Sequence, residues 1–151
     1  MGLIATTEIV AWLLDNQCQP EQPLSANSPG VPPLILAAQQ SRSDVLGYLL
    51  QQGADLGGLD PYGNNTLWAA CFANAADCIA LLLQAGINID YQNPSGATAL
   101  IYASSSGKYA VVEQLLQAGA NPLLTTQDDF SALDLAANRQ CLQLLRYAAR
   151  L

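Results

Sequence analysis

The side chains that could do chemistry in this sequence are carboxylates and four cysteines, because the chain contains no histidine. Histidine is the commonest general base and metal ligand, so a catalytic or zinc site here would depend on carboxylates and thiols alone. The cysteines form no Cys-x-x-Cys pair and have no evident activating neighbour. We therefore expect the cysteines to serve as small apolar side chains in a reduced core; they are Cys18, Cys71, Cys78 and Cys141.

Two other features are too weak to indicate a reaction centre. Asp128 and Asp129 are adjacent on a predicted loop, where neighbouring acids usually point apart toward water. Gly57-Gly58 lacks the strand, lysine and Ser/Thr that a phosphate-binding loop requires. We predict that the protein is not an enzyme and that it needs no cofactor or metal.

The charge balance favours a protein partner. Twelve acidic residues against five basic ones give a formal charge of −7, which disfavours nucleic acid and anionic membrane surfaces as partners. A basic protein would be steered in by this field. No apolar run is long enough to span a membrane, and no basic segment precedes the first apolar stretch, as it would in a signal peptide. The sequence thus predicts a cytoplasmic protein with a basic protein partner.

The elements that must position these residues follow from an internal repeat. Three sets of residues recur every 33 positions, which composition alone does not produce. A fixed period of this size is typical of a solenoid, in which each unit buries its apolar face against its neighbours. The recurring sets are Gly30, Gly63 and Gly96; Gly53, Gly86 and Gly119; and Leu34, Leu67, Leu100 and Leu133.

One repeat shows the predicted local structure. Residues 93–96, Asn-Pro-Ser-Gly, have turn chemistry. Thr98 can cap a first helix of about two turns, which residues 105–107, Ser-Ser-Gly, interrupt. A second helix over about residues 109–118 has one broad apolar stripe, and Gly119 ends it. The repeat is therefore a helical hairpin with a projecting loop.

These motifs resemble the ankyrin repeat family. Residues 96–104 read Gly-Ala-Thr-Ala-Leu-Ile-Tyr-Ala-Ser, close to the family's Gly-x-Thr-Pro-Leu-His-x-Ala-Ala pattern. The family's Leu-Leu-x-x-Gly-Ala-Asp/Asn ending appears at residues 49–55, 82–88 and 115–121. The resemblance covers nearly the whole chain and implies an all-α ankyrin-repeat solenoid of stacked helix-turn-helix units with projecting loops, about four and a half repeats.

We expect one ankyrin-repeat domain over residues 1–151. Residues 9–20 match residues 111–122 position for position, so the chain opens on a second helix without a complete first one. The last unit has a polar face, with Gln143, Arg146 and Arg150, as a terminal repeat needs. The expected parts are a half-repeat with a lengthened loop (1–27), repeats at 28–59, 60–92 and 93–125, and a capping repeat (126–151).

The sequence departs from the family at the position that usually holds histidine. That side chain commonly ties adjacent loops together by hydrogen bonds, and the position is occupied here by Ile35, Trp68, Ile101 and Asp134. We expect the loops to be held by apolar packing instead. The Thr-Pro helix start is also degraded, so stability should be ordinary.

The resemblance implies that a partner binds at the loop tips and the exposed side of the first helices. Tyr62 and Phe72 are expected to serve binding, whereas inter-repeat packing explains Trp68 and Tyr102 equally well. Phe130 could equally cover the end of the core. Many of the loop acids are explained by local hydrogen bonds to turns. The candidate partner-binding residues are Tyr62, Asn64, Trp68, Phe72, Tyr102, Ser105, Asp128, Phe130 and Arg139.

The function that follows is capture of one basic protein on a concave, loop-bearing face. With both caps and no further domain in the sequence, we expect binding to be the function itself, in the manner of a stand-alone inhibitor or an immunity or antitoxin-type protein. The alternatives are a scaffold joining two proteins, which needs a second exposed patch, and an effector that binds a host protein. We expect a monomer when no partner is bound.

Overall fold

The computed structural model describes residues 31–149, which contain seven α-helices and two isolated β-bridges. The chain divides into two compact units, Met1–Ala85 and Gly86–Leu151, and each is described by itself. The expected half-repeat at residues 9–20 with Cys18, the lengthened loop that follows it, and Arg150 of the capping repeat lie outside the described residues.

Within residues 31–85, the first unit contains two helical hairpins. Helices α1 (Pro33–Gln39) and α2 (Ser43–Gln51) form one, and α3 (Thr66–Phe72) and α4 (Ala76–Gln84) form the other. Helix α1 packs against α2 and α3, and α4 packs against α3 and α2, so the two hairpins pack against each other. The buried core consists of apolar side chains from all four helices: Leu34, Ile35, Val45, Leu46, Leu49, Leu67, Cys71, Cys78, Ile79 and Leu82.

The second unit contains α5 (Ala99–Ser105), α6 (Tyr109–Gln117) and α7 (Arg139–Ala149). Helix α5 begins where the sequence predicts, because Thr98 Oγ1 accepts a hydrogen bond from Ile101 N at 3.1 Å. Helix α6 packs against both α5 and α7. Its buried stripe, Val111, Val112 and Leu115, is the one that the spacing predicts.

Left-handed backbone recurs with the sequence period. Gly53, Gly86 and Gly119 follow second helices with φ of 83°, 91° and 98°, as expected for residues that end a helix. In the loop tips, Gly63 and Gly96 have φ of 84° and 82°. Asp129, which replaces glycine in the last tip, keeps the same conformation with φ of 67°. The backbone period thus persists where the residue type changes.

The last repeat differs from its prediction. Its first helix is reduced to a single turn, in which Ser131 N and Oγ donate to Asp134 Oδ2 and Asp134 N donates to Ser131 Oγ. Helix α7, the second helix of this repeat, begins at Arg139, since Asn138 Oδ1 caps it by accepting from Cys141 N at 2.9 Å. The placement of Arg139 on a first helix is therefore wrong: it lies on the second helix of its repeat.

None of the helices in the described part of the chain is long and apolar enough to cross a membrane.

Candidate functional site

The first loop tip, residues 60–64, is held by its own aspartate. Asp60 Oδ1 accepts hydrogen bonds from Tyr62 N and Asn64 N, both at 2.9 Å, and Asp60 N donates to Asn64 O at 2.9 Å. This turn fixes the backbone on which Tyr62 stands, while 81% of Tyr62 remains exposed. Asn64 is half-buried. The tip therefore presents a tyrosine on a rigid support.

Helix α3 carries the other candidates of this unit. The side chain of Asn65 caps the helix by accepting from Trp68 N at 3.2 Å. Trp68 and Phe72 are four residues apart and so lie on the same helix face. Trp68 is half-buried, whereas Phe72 is 68% exposed. Since the equivalent Ile35 and Ile101 are buried, part of Trp68 serves packing.

Two loop tips of the second unit are tied together by glutamine amides. Gln127 N donates to Ser95 O at 2.9 Å, and Gln127 Nε2 donates to Pro94 O at 2.6 Å. Gln92 Nε2 donates to Gly96 O and to Thr125 O, at 2.9 and 3.0 Å. The expectation of apolar packing between loops is therefore wrong for this pair, since glutamines supply the hydrogen bonds.

The second of these tips presents two acids and an aromatic ring. Thr126 Oγ1 accepts from Asp128 N and Phe130 N at 3.3 Å, and Thr126 N donates to Phe130 O at 2.9 Å. Asp128 and Asp129 are exposed, and their carboxylates make no hydrogen bond within residues 31–149. Phe130 is 48% exposed. These three side chains face solvent from a closed turn.

Of the other loop acids, two form the local hydrogen bonds to turns that the sequence predicts, and a third bonds across a repeat. Asp60 holds its own tip, and Asp55 Oδ1 accepts from Gly57 N at 2.8 Å. Asp90 Oδ1 accepts from Asn121 N at 2.8 Å, across one repeat. These carboxylates therefore stabilise the loops in which they lie.

The remaining candidates of the second unit lie on its helices. Tyr102 is half-buried, and the Lys108 ammonium lies 5.9 Å from its ring centroid, in cation–π range. Ser105 is exposed and its hydroxyl donates to Tyr102 O at 2.9 Å. Arg139 is exposed at the start of α7, beside Asn138, whose side chain donates to Gly107 O. Tyr102 and Ser105 share α5, apart from the tip that holds Asp128 and Phe130.

The candidates thus fall into two sets, one on each unit. Tyr62, Asn64, Trp68 and Phe72 belong to one repeat of the first unit.

The sequence did not predict several exposed apolar side chains. Among them, Tyr147 could have been found because it lies one turn from Gln143 on the polar face of α7. The missed residues are Leu59, Tyr109, Leu123 and Tyr147, between 39% and 69% exposed.

The cysteines within residues 31–149 show no sign of activation as nucleophiles. The side-chain hydrogen bond from Arg42 holds the pKa of Asp44 below its ordinary value, and their ion pair spans 2.8 Å. Burial, helped by Asp77 and Asp44, raises the pKa of Cys78 to about 11, and burial also raises the pKa of Cys141. The predicted core placement of Cys71, Cys78 and Cys141 is confirmed, and protonated buried thiols are poor nucleophiles.

A family model described as "Ankyrin repeats (3 copies)" matches residues 34–126 and 67–150. Among solved structures, the chain is similar to the ankyrin repeat domain of Bcl-3, described as a unique member of the IkappaB protein family. The identity is 29%, the TM-score is 0.78, and the match covers 88% of this chain and 60% of that one. The chain therefore spans less than two thirds of that relative. No curated protein matches significantly.

The chain belongs to the ankyrin repeat family. The repeat motifs, the helical hairpins and the family match agree on this assignment. It is a protein–protein interaction module, because ankyrin repeats are a binding scaffold rather than an enzyme family. As many as 505 solved chains match significantly, so the fold alone selects no partner.

Proposed function

We propose that this protein captures a basic protein partner through its loop tips and exposed first-helix side chains and inhibits that partner. The observation that carries the proposal is the pair of exposed aromatic side chains, Tyr62 and Phe72, at positions where ankyrin repeats bind. Aromatic residues often dominate interface energies when a partner buries them. A protein of net charge −7 attracts a basic partner before contact.

An inhibitor, in the manner of an immunity or antitoxin protein, is the simplest activity for a binding module without chemistry of its own. Occupying or masking a functional surface of an enzyme or toxin requires only affinity and steric bulk. We place this activity in the cytoplasm, where the buried thiols of Cys71, Cys78 and Cys141 stay reduced.

Capture from the native cell tests the proposal. The tagged full chain should retain one stoichiometric partner of high isoelectric point, and mixing the two should abolish the partner's activity. The double variant Tyr62→Ala/Phe72→Ala should weaken this complex by at least about tenfold, because each truncation at a binding hot spot costs 1 kcal/mol or more. Tyr147→Ala is the matched control, since Tyr147 is 69% exposed but lies outside the candidate set.

Capture of two different proteins that bind simultaneously would favour a scaffold instead. Tyr109 and Tyr147 are exposed on helices α6 and α7, outside the candidate set, and would belong to such a second surface. A complex that Tyr147→Ala weakens and Tyr62→Ala/Phe72→Ala leaves unchanged would place binding there. A partner whose activity is unaffected by the complex would exclude inhibition.

A further inference from the structure

Helix α7 differs in charge from the other second helices. Helices α2, α4 and α6 each contain one acidic residue and no basic one. Helix α7 contains two arginines, Arg139 and Arg146, and no acidic residue. In a chain with twelve acidic and five basic residues, this inversion of sign is a property of one element.

The two arginines lie on one exposed face of α7. Arg139, Gln143 and Arg146 follow the spacing i, i+4, i+7, which places them along one side of an α-helix. Tyr147 lies one turn after Gln143 on the same side. All four side chains are exposed, whereas Leu145 on the opposite side is 0% exposed. These four residues are called the basic face of α7.

The side chains of the basic face are available to a group from outside the chain. The guanidinium groups of Arg139 and Arg146 form no hydrogen bond or ion pair within residues 31–149. The nearest acid along the chain is Asp134, whose Oδ2 accepts from Ser131 N and Oγ at 2.9 and 3.1 Å. The ring of Tyr147 is 69% exposed and contacts no other ring or cation in the described part of the chain.

A capping role explains why this face is polar but not why it is basic. A last repeat needs polar side chains on its outer face. Acidic side chains, which outnumber basic ones in this sequence, would serve that purpose equally. Capping also does not require an exposed tyrosine. Arginine and tyrosine, by contrast, are enriched among the residues that dominate binding energy at protein interfaces.

We propose that the basic face of α7 binds an acidic segment of another protein. Arginine pairs with a carboxylate through two parallel N–H···O bonds, the amide of Gln143 can bond the backbone of the segment, and the Tyr147 ring can pack on an apolar side chain. Two arginines on a chain of net charge −7 are too few for a nucleic acid, whose binding depends on neutralising many phosphates. An acidic peptide segment is the occupant that this face complements.

The helix also sets the spacing of the carboxylates. Arg139 and Arg146 are seven residues apart, so their Cα atoms are separated by about 10 Å along the helix axis. In the polyproline-II conformation, residues three apart lie on the same side of a segment and about 9 Å apart. Distant carboxylates of the chain have little effect on such a segment, because charges are screened beyond about 8 Å at physiological salt.

The inference does not rest on the proposed function, because it concerns a second helix rather than the loop tips and first helices. Arg139, which the sequence places on a first helix, takes its role here. Binding at this face stands or fails whether or not a basic partner is captured.

An NMR titration of the full chain with short peptides tests the proposal. The probe is acetyl-Gly-Glu-Pro-Leu-Glu-Gly-amide, whose two glutamates are three residues apart. It should shift the backbone amides of the basic face, and the shifts should saturate. Each exposed ion pair corresponds to about 1.4- to fivefold in affinity, so the same peptide with glutamine in place of both glutamates should bind roughly two- to 25-fold more weakly.

Single substitutions locate the contacts. Arg139→Gln and Arg146→Gln should each weaken binding of the glutamate peptide by about 1.4- to fivefold. Arg42→Gln is the matched control: it removes the same charge from an arginine that is paired with Asp44 in the first unit, and it should leave the affinity unchanged. Circular dichroism of each variant confirms that it is folded.

Three results would overturn the basic face as a binding site. The first is the absence of saturable shifts on α7 at millimolar peptide, and the second is equal affinity for the glutamate and glutamine peptides. The third is a loss of affinity in Arg42→Gln as large as in Arg146→Gln, which would mean attraction by overall charge. Stronger binding of oligothymidine to the same amides would replace the acidic segment by a nucleic acid.

Discussion

At the scale of single residues, two buried threonines have opposite roles in the first turns of equivalent helices. Thr98 is 1% exposed, and its hydroxyl caps α5. Thr66 is 0% exposed at the first position of α3, and its Oγ1 has no hydrogen-bond partner within residues 31–149. The cap of α3 is provided by Asn65 instead. The Thr66 hydroxyl is thus buried without a compensating hydrogen bond, which costs stability.

Replacing Thr66 by valine should therefore stabilise the protein. Valine keeps the branched shape, so no cavity forms, and removing an unsatisfied buried hydroxyl should raise the free energy of unfolding by about 1 kcal/mol. Urea denaturation with an unchanged m-value measures the effect. Thr98→Val is the control and should lower the free energy of unfolding by about 1 kcal/mol, because it removes a cap. If both variants were destabilised alike, the Thr66 hydroxyl would have to be bonded.

The residue scale also shows how far a single sequence reaches. The cap at Thr98 follows from a threonine that precedes an apolar turn, and the helix ends follow from glycines at a fixed period. The loop ties at Gln92 and Gln127 could not be found in this way, because they break the period. Their counterparts are Thr125 in the next repeat and Pro94 in the previous one, neither of which has an amide side chain.

At the scale of elements, two projecting loops of the second unit are held together by close contact between their backbones. Gly96 and Gly119 both have positive φ, 82° and 98°. A Cβ atom on Gly96 would lie 2.9 Å from Gln127 N and 3.1 Å from the Thr126 carbonyl carbon, whereas a Cβ on Gly119 would meet nothing within 4 Å. Gly119 is therefore needed for its conformation, and Gly96 for conformation and for space as well.

The two glycines should respond differently to alanine. Gly119→Ala should cost about 1–2 kcal/mol, the usual penalty of a left-handed residue with a Cβ. Gly96→Ala should cost at least about 1 kcal/mol more, because the Thr126–Gln127 backbone has to move and overpacked sites cost 1–3 kcal/mol. Chemical denaturation gives the costs, and faster amide exchange at Gln127 N in Gly96→Ala reports the lost tie. Equal losses of stability in the two variants would show that displacing the Thr126–Gln127 backbone costs no free energy.

The elements that the sequence placed least well belong to the last repeat. Tyr109 begins α6, and a strict 33-residue period would begin the matching helix at Leu142, but α7 begins at Arg139. The first helix of that repeat is one turn, closed by Ser131 and Asp134. A capping pair can start a helix but does not determine its length, because helix length depends on tertiary packing that the sequence alone does not show.

At the scale of the whole molecule, net charge and exposed apolar surface act against each other. The charge of −7 at neutral pH keeps copies of the chain apart, and the exposed aromatic side chains draw them together. The candidate surface was predictable as a set of positions, because ankyrin repeats fix which residues face outward. Its partner was not, because charge and exposure define a class of side chain rather than a protein. We expect this repulsion to keep the chain monomeric and Tyr62 and Phe72 exposed.

This balance predicts a monomer at neutral pH and self-association near the isoelectric point. As the pH falls toward 4.1, carboxylates take up protons and the net charge approaches zero, so the repulsion disappears while the aromatic surface remains. Light scattering at low salt should give 15.9 kDa at about pH 7 and a rising mass as the pH approaches 4.1. Tyr62→Ala/Phe72→Ala should associate less than Tyr147→Ala at the same pH. A stable dimer at neutral pH that only the double variant dissociates would show that a second copy already covers Tyr62 and Phe72.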